Sequence, residues 1–175
     1  MSRHVIASLH CAALLSGCMV VTPSPTIEAV HLIGSVVTSA ASLTPATAQN
    51  TVVFAHDPIK RICIEYNPAV ALVDFVPAMQ NEFQERGVES RLYDTGMQPS
   101  DCPAVLQYSA FLEWDRRALD DRYSSYLTFA ALTLRSYDGK VLASANYQTG
   151  QMGLDKWSPT RSKVSAVITA LLAGN

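Results

Sequence analysis

From Lys60 onward, apolar and polar residues alternate in a readable order. Ile62, Ile64 and Tyr66 alternate with Cys63 and Glu65, which predicts a short strand ended by Asn67-Pro68. Val73, Val76, Met79 and Phe83 then recur at helical spacing. Asp74 is placed to cap that helix, Pro77 falls in its first turn and Gly87 stops it. Residues 89–93 predict a second short strand, and residues 96–103 a loop. Residues 104–114 predict a long strand with Leu106, Tyr108, Ala110, Leu112 and Trp114 on one face. A charged connection, 115–122, leads to a strand over 123–135 with Tyr126, Ala130, Leu132 and Leu134 sharing a face. Phe111, Leu127, Phe129 and Leu142 fall on the other side. Asp138-Gly139 predicts a tight hairpin turn, because glycine accepts the positive φ such a turn demands. Residues 141–147 return as a strand, and 148–157 form a loop.

The chain closes on its clearest helix. Ser158 is the expected cap and Pro159 the first helical position, and Val164, Val167, Ile168, Leu171 and Leu172 form one apolar stripe before Gly174. The predicted order is β-α-β-β-β-β-α. A strand–helix–strand crossover, a meander and a final helix imply an α+β two-layer sandwich, with both helices on one face of a mostly antiparallel sheet.

The first third of the chain has a different pattern. Arg3 and His4 precede a mostly apolar run from Val5 to Leu15, about half the ~20 residues a membrane-spanning helix needs. Ser16, Gly17 and Cys18 follow. An apolar run of this length before small residues is the form of a signal peptide, and Leu15-Ser16-Gly17-Cys18 resembles the lipobox of bacterial lipoproteins. The resemblance implies cleavage after residue 17 and lipidation of Cys18. Residues 18–57 then read as a lipidated Cys and tether, containing Pro23, Pro25, Pro45, many Ser, Thr and Ala and almost no charge. Val30 to Val37 is the one stretch suited to a local helix or to the membrane surface. The folded domain is expected over 58–175.

Composition narrows the function classes. The chain has 175 residues, enough for one domain. Charged residues make up 16% and the net charge is -2, which lacks the basic face of a nucleic-acid binder. The four His are His4, His10, His31 and His56, so the predicted domain holds no imidazole for a Ser-His or Cys-His pair or for a metal. No metal site and no cofactor are expected, and no catalytic residue is assigned. Four Cys are present. Cys11 leaves with the signal peptide and Cys18 takes lipid, so Cys63 and Cys102 are the pair left for a disulfide in an oxidising compartment. Their spacing is not the C-x-x-C of a thioredoxin-like site.

Two clusters merit weighing. Glu113, Asp115, Asp120 and Asp121 could form an acid/base pair or a Ca²⁺ site, but mixture with Arg116, Arg117 and Arg122 reads as a solvated hairpin end. At the start of the last helix, Lys156, Trp157, Arg161 and Lys163 surround free backbone N–H groups, a possible anion, headgroup or partner contact. The alternative is a plain capped helix with solvated cations, and Trp114 and Trp157 as packing residues.

From about residue 60 the chain resembles the Sbal-type lipoproteins, small envelope proteins of Gram-negative bacteria. The resemblance lies in Cys63-Ile64-Glu65 with Asn67-Pro68, Asp74-Phe75 with Pro77, Cys102, the Leu106/Tyr108/Ala110 alternation and Trp114-Asp115. It continues in Lys156-Trp157, Ser162-Lys163 and Leu171-Leu172. It implies lipidation and envelope location and names no reaction. The long tether departs from that family. At fold level the pattern also resembles the amino-terminal domain of TolB. The expected function is therefore a lipid-anchored accessory or interaction module without catalytic activity. Its partners would be the outer membrane, met from the periplasmic face through the anchor, and another envelope protein. The alternative is a periplasmic binder of a small ligand or lipid headgroup near Lys156 to Lys163.

Overall fold

The structure, a computed structural model, describes residues 45–97, 100–150 and 153–173. The signal peptide, Cys18, the stretch Val30 to Val37 and most of the expected tether lie outside the described residues. Six strands form one sheet: β1 (Gln49–Val53), β2 (Arg61–Glu65), β3 (Glu89–Tyr93), β4 (Ala104–Arg116), β5 (Tyr123–Ser136) and β6 (Val141–Gln148). Among the described residues two helices accompany it, α1 (Phe75–Glu85) and α2 (Thr160–Leu171). The sheet order is β1-β6-β5-β4-β2-β3.

This order corrects the expected two-layer sandwich on a mostly antiparallel sheet. The sheet is mixed: β2 runs parallel to both β3 and β4, and only β4, β5, β6 and β1 pair antiparallel. The chain does not step from β3 to its neighbour. It crosses β2 and returns as β4, so the meander starts one strand later than expected. The second correction is β1. Residues 49–53, read above as tether, pair with β6 and form an edge of the sheet. A five-residue strand, exposed over most of its length, shows little alternation, so nothing marks it within a Ser/Thr/Ala-rich stretch.

Other local expectations also shift. Val73 is almost fully exposed and precedes the helix. Phe75, completely buried, anchors α1 instead, its ring 5.5 Å from that of Tyr108. Neither Asp74 nor Ser158 supplies a side-chain cap. Pro159, not Ser158, takes the cap position of α2, with an extended ψ of 145°. The turn glycines behave as their positions require: Gly87 (φ 73°) ends α1 and Gly139 (φ 86°) turns β5 into β6.

Alternating side chains of β2, β4, β5 and β6 fill the core. Ile62, Ile64, Leu106, Tyr108, Leu132, Leu134, Ala143 and Tyr147 meet Phe75, Met79 and Phe83 of α1 and Val164, Val167, Ile168 and Leu171 of α2. Each large apolar side chain buried this way contributes about 1.5–3 kcal/mol. One irregularity re-aims the far end of β5. The register shifts between Phe111 and Leu112, so Leu112 opposes Leu127 and Glu113 opposes Tyr126. This bulge turns Leu127 into the core and Tyr126 away from it, the reverse of the faces expected from strict alternation. Cys63 of β2 and Cys102, just ahead of β4, form a disulfide with Cα atoms 5.9 Å apart, at a sequence separation of 39. The bond ties down the crossing from β3 to β4. Closing such a loop contributes roughly 3–4 kcal/mol in the chain-entropy model.

Candidate functional site

The residues singled out at the start of the last helix lie where the 153–157 segment meets the outer part of the β4–β5 hairpin. Tyr126, turned outward by the bulge, packs against Trp157 with ring centres 5.2 Å apart and ring planes tilted by 59°. Lys156 Nζ sits 4.4 Å from the centre of the Tyr126 ring and 2.5 Å from a carboxylate oxygen of Asp115. Arg117 covers the other aromatic, its guanidinium carbon 5.1 Å from the Trp157 ring centre. Tyr126 donates its hydroxyl to Glu113 at 2.7 Å. The Asp115 carboxyl is held below the usual range chiefly by its hydrogen bond from Lys156.

Lys163 is completely buried, one turn into α2. Its Nζ donates to the backbone carbonyls of Leu127 and Lys156, both at 2.8 Å. Burial pushes the amine down to about 8, against partial support from the Asp155 charge. Asp155 is buried as well, accepting from the Tyr147 hydroxyl at 2.9 Å and from the Gly150 N–H at 3.1 Å. Burial pushes the Tyr147 hydroxyl well above its ordinary value. Lys163, Asp155 and Tyr147 thus clasp the 148–157 segment onto β5 and β6.

Arg161 points elsewhere. Its Nε donates to Glu82 of α1 at 2.7 Å, and its outer nitrogen pairs with Glu85. Arg86 completes this group, donating to Glu82 at 2.6 Å and to Thr169 at 2.7 Å. Burial raises the Glu82 carboxyl, but hydrogen bonds from Arg161, Ser165 and Arg86 outweigh it and bring it down to about 2.

The structure therefore brings Lys156 and Trp157 together, places Lys163 beneath them, and sends Arg161 to the helix–helix contact. Each of the three cations is engaged by groups of the chain itself. The four carboxylates weighed as an acid/base or Ca²⁺ site do not converge: Glu113 accepts from Tyr126, Asp115 pairs with Lys156, and Asp120 accepts from Arg122. Among the described residues no cluster of His, Cys, Asp and Glu could hold a metal ion. No helix among them is long and apolar enough to cross a membrane.

The sequence reading missed the burial of three charged residues: Asp155 ahead of the last helix and, on the two helices, Glu82 and Lys163. The two on helices are in phase with apolar stripes: Glu82 lies between Met79 and Phe83, and Lys163 lies four residues before Val167. A charge on a stripe was the available signal.

No family model matches the chain, and no curated protein does. Among solved structures it is similar to the PelC dodecamer from Paraburkholderia phytofirmans. That protein is 14% identical, with a TM-score of 0.48 over 73% of this chain and 96% of that one. A point variant of the same dodecamer is 16% identical, with a TM-score of 0.45 over 74% and 96%. At that distance the likeness does not bear on what this chain does.

Proposed function

We propose that the chain is an envelope lipoprotein of the Sbal type, anchored by lipid on Cys18. In this reading it is an accessory module without catalytic activity that acts through another envelope protein. The observation that carries this reading is Leu15-Ser16-Gly17-Cys18, placed directly after an apolar run of signal-peptide length. Acyl chains on that Cys would hold it firmly, since each buried CH₂ contributes about 0.8 kcal/mol and two chains suffice. Met19 rather than Asp after the Cys favours the outer membrane. The Cys63–Cys102 disulfide supports an oxidising compartment. Against catalysis stands a domain with no His after His56 and carboxylates spent on internal partners.

Mass spectrometry of the amino terminus of protein purified from envelopes tests the anchor. The expected product starts at Cys18 and carries acyl chains, and Cys18→Ala abolishes them. An unmodified terminus anywhere downstream of residue 18 would sink the reading.

A further inference from the structure

The β4–β5 hairpin outgrows its sheet. β6 follows β5 only as far as Phe129, and β2 pairs with β4 only at Val105 and Leu106. From the Leu112–Leu127 pair to the Arg116–Tyr123 pair the two strands have no further strand on either side among the described residues. A lone two-stranded ribbon is marginal in water, so its side chains need other partners. Alternation splits them into two faces. Glu113, Asp115 and Tyr126 form one face, and it is occupied from within the chain by Lys156 and Trp157. The other face carries Leu112, Trp114, Arg116, Tyr123 and Leu127. Leu112 and Leu127 reach the core end, but beyond them Trp114 is 65% exposed and Tyr123 62%. At the tip stands Leu119, 71% exposed and held at a φ of 67°, a left-handed conformation unusual for a branched apolar residue. Arg116 lies over the Tyr123 ring at 5.4 Å, and Arg117 and Arg122 flank the tip. Of the two nearby carboxylates, Asp120 is taken by the Arg122 side chain and backbone.

We infer that this arm docks on a lipid surface, with Trp114, Tyr123 and Leu119 at the headgroup–acyl boundary and Arg116 on anionic headgroups. Two aromatic side chains and a leucine expose about 400–500 Å² at most, well short of the roughly 1,000 Å² a specific protein interface needs. The same set suits a bilayer interface, where Trp and Tyr are favoured and Arg side chains keep their heads among phosphates. The bilayer is that of the envelope reading above, yet the arm's contact does not require acylation of Cys18.

The test uses the full chain carrying Trp157→Phe, which leaves Trp114 as its only tryptophan. The probe is vesicles of phosphatidylethanolamine and phosphatidylglycerol containing lipid brominated near the glycerol end of the acyl chain. Trp114 emission should shift to the blue and be quenched, and Leu119→Asp should abolish both changes. Arg116→Gln should weaken partitioning about five-fold, since each arginine near an anionic surface is worth ~1 kcal/mol. The mass of the same sample reports whether Cys18 is acylated, so failure of the anchor is seen separately from failure of the arm. Unquenched Trp114 in protein that floats with the vesicles overturns the inference, as does a protein that does not bind them at all. Self-association lost in Leu119→Asp without any quenching would assign the arm to a second copy instead. Should Trp157→Phe disturb the arm, the wild-type chain serves: its vesicle-dependent blue shift should vanish in Trp114→Phe, and its persistence there overturns the inference.

Discussion

Two buried charges sit on opposite sides of α2, and they teach opposite lessons. Glu82, 3% exposed, lies between the helices; Lys163, fully buried, lies between α2 and the sheet. Both titrate below their ordinary values, Glu82 at about 2 against 4.5 and Lys163 at about 8 against 10.5. For the acid a lowered value means that the fold favours the charge. For the amine it means that the fold resists it. Burial costs both groups, and what differs is the partner. Glu82 receives two guanidinium groups, whereas Lys163 receives two carbonyl dipoles and only distant help from Asp155, which is itself committed to Tyr147 and Gly150. Charged donors offset desolvation here; backbone dipoles do so only in part.

The largest effect should come from removing the paired charge. Glu82→Ala should destabilise the protein by about 2–4 kcal/mol in urea unfolding, because hydrogen bonds between charged groups are lost and two guanidinium groups are left facing each other. Glu82→Gln should cost less. The stability Glu82 supplies is fully present above pH 4.5 and fades as the pH falls toward about 2. An acid titration of stability should therefore flatten in Glu82→Gln across that window. An unchanged acid limb would break the contrast between the two charges.

Lys163 should respond less, and there the charged form is the one that costs stability. Below pH 8 the folded protein must keep a buried amine charged, so stability should rise as the pH climbs from about 8 toward 10, by roughly 2 kcal/mol. Above pH 10 the gain should reverse. Buried Tyr147 resists ionisation in the fold, and its contribution is lost as the hydroxyl ionises more readily in the unfolded chain. Lys163→Met should remove the rise between pH 8 and 10. At pH 7 it should change stability by only about 1 kcal/mol, since relief of the buried charge offsets two carbonyls left without donors. A loss as large as that of Glu82→Ala would show that the carbonyl bonds match a salt bridge here.

These contrasts also mark what could be read from the sequence. The elements from residue 61 onward were legible because their patterns are strong: Ile62/Ile64, the long alternation from Ala104, and the stripe of α2. The sheet was not. β1 is too short and exposed to show a period, and nothing local tells β3 that its neighbour is β2 on one side only. The bulge after Phe111 exchanges the faces of Tyr126 and Leu127, and one inserted residue leaves no trace in composition. Lys163 was legible as a cation near the start of α2, but its burial depends on β5 and on the 148–157 segment, which meet it only in the fold. The Cys63–Cys102 bond was legible because few thiols remained to pair.

The smallest effect should belong to the exposed counterpart of Glu82. Asp115 pairs with Lys156 at 2.5 Å, as short as the contacts of Glu82, yet its side chain is 53% exposed. Solvent screens such a pair, and holding two flexible side chains in one geometry costs entropy, so distance alone does not measure its worth. Asp115→Asn should leave the urea midpoint unchanged within error. Its effect should be local. Lys156 is the link between the 153–157 segment and the outward face of the hairpin, so breaking the pair should speed amide hydrogen exchange over Trp114 to Arg116 and Tyr123 to Tyr126, while core amides such as Leu106 keep their protection. Because Lys156 holds the Asp115 carboxyl low, the same loss of protection, relative to intrinsic exchange at that pH, should appear in the wild type once the pH falls beneath the ordinary Asp range and the carboxylate protonates. It should appear as well in molar salt, where the screening length is about 3 Å. If Asp115→Asn instead lowered global stability as Glu82→Ala does, exposure would not be what separates the two carboxylates, and the hairpin would have to be counted as part of the cooperative core rather than an arm fastened to it.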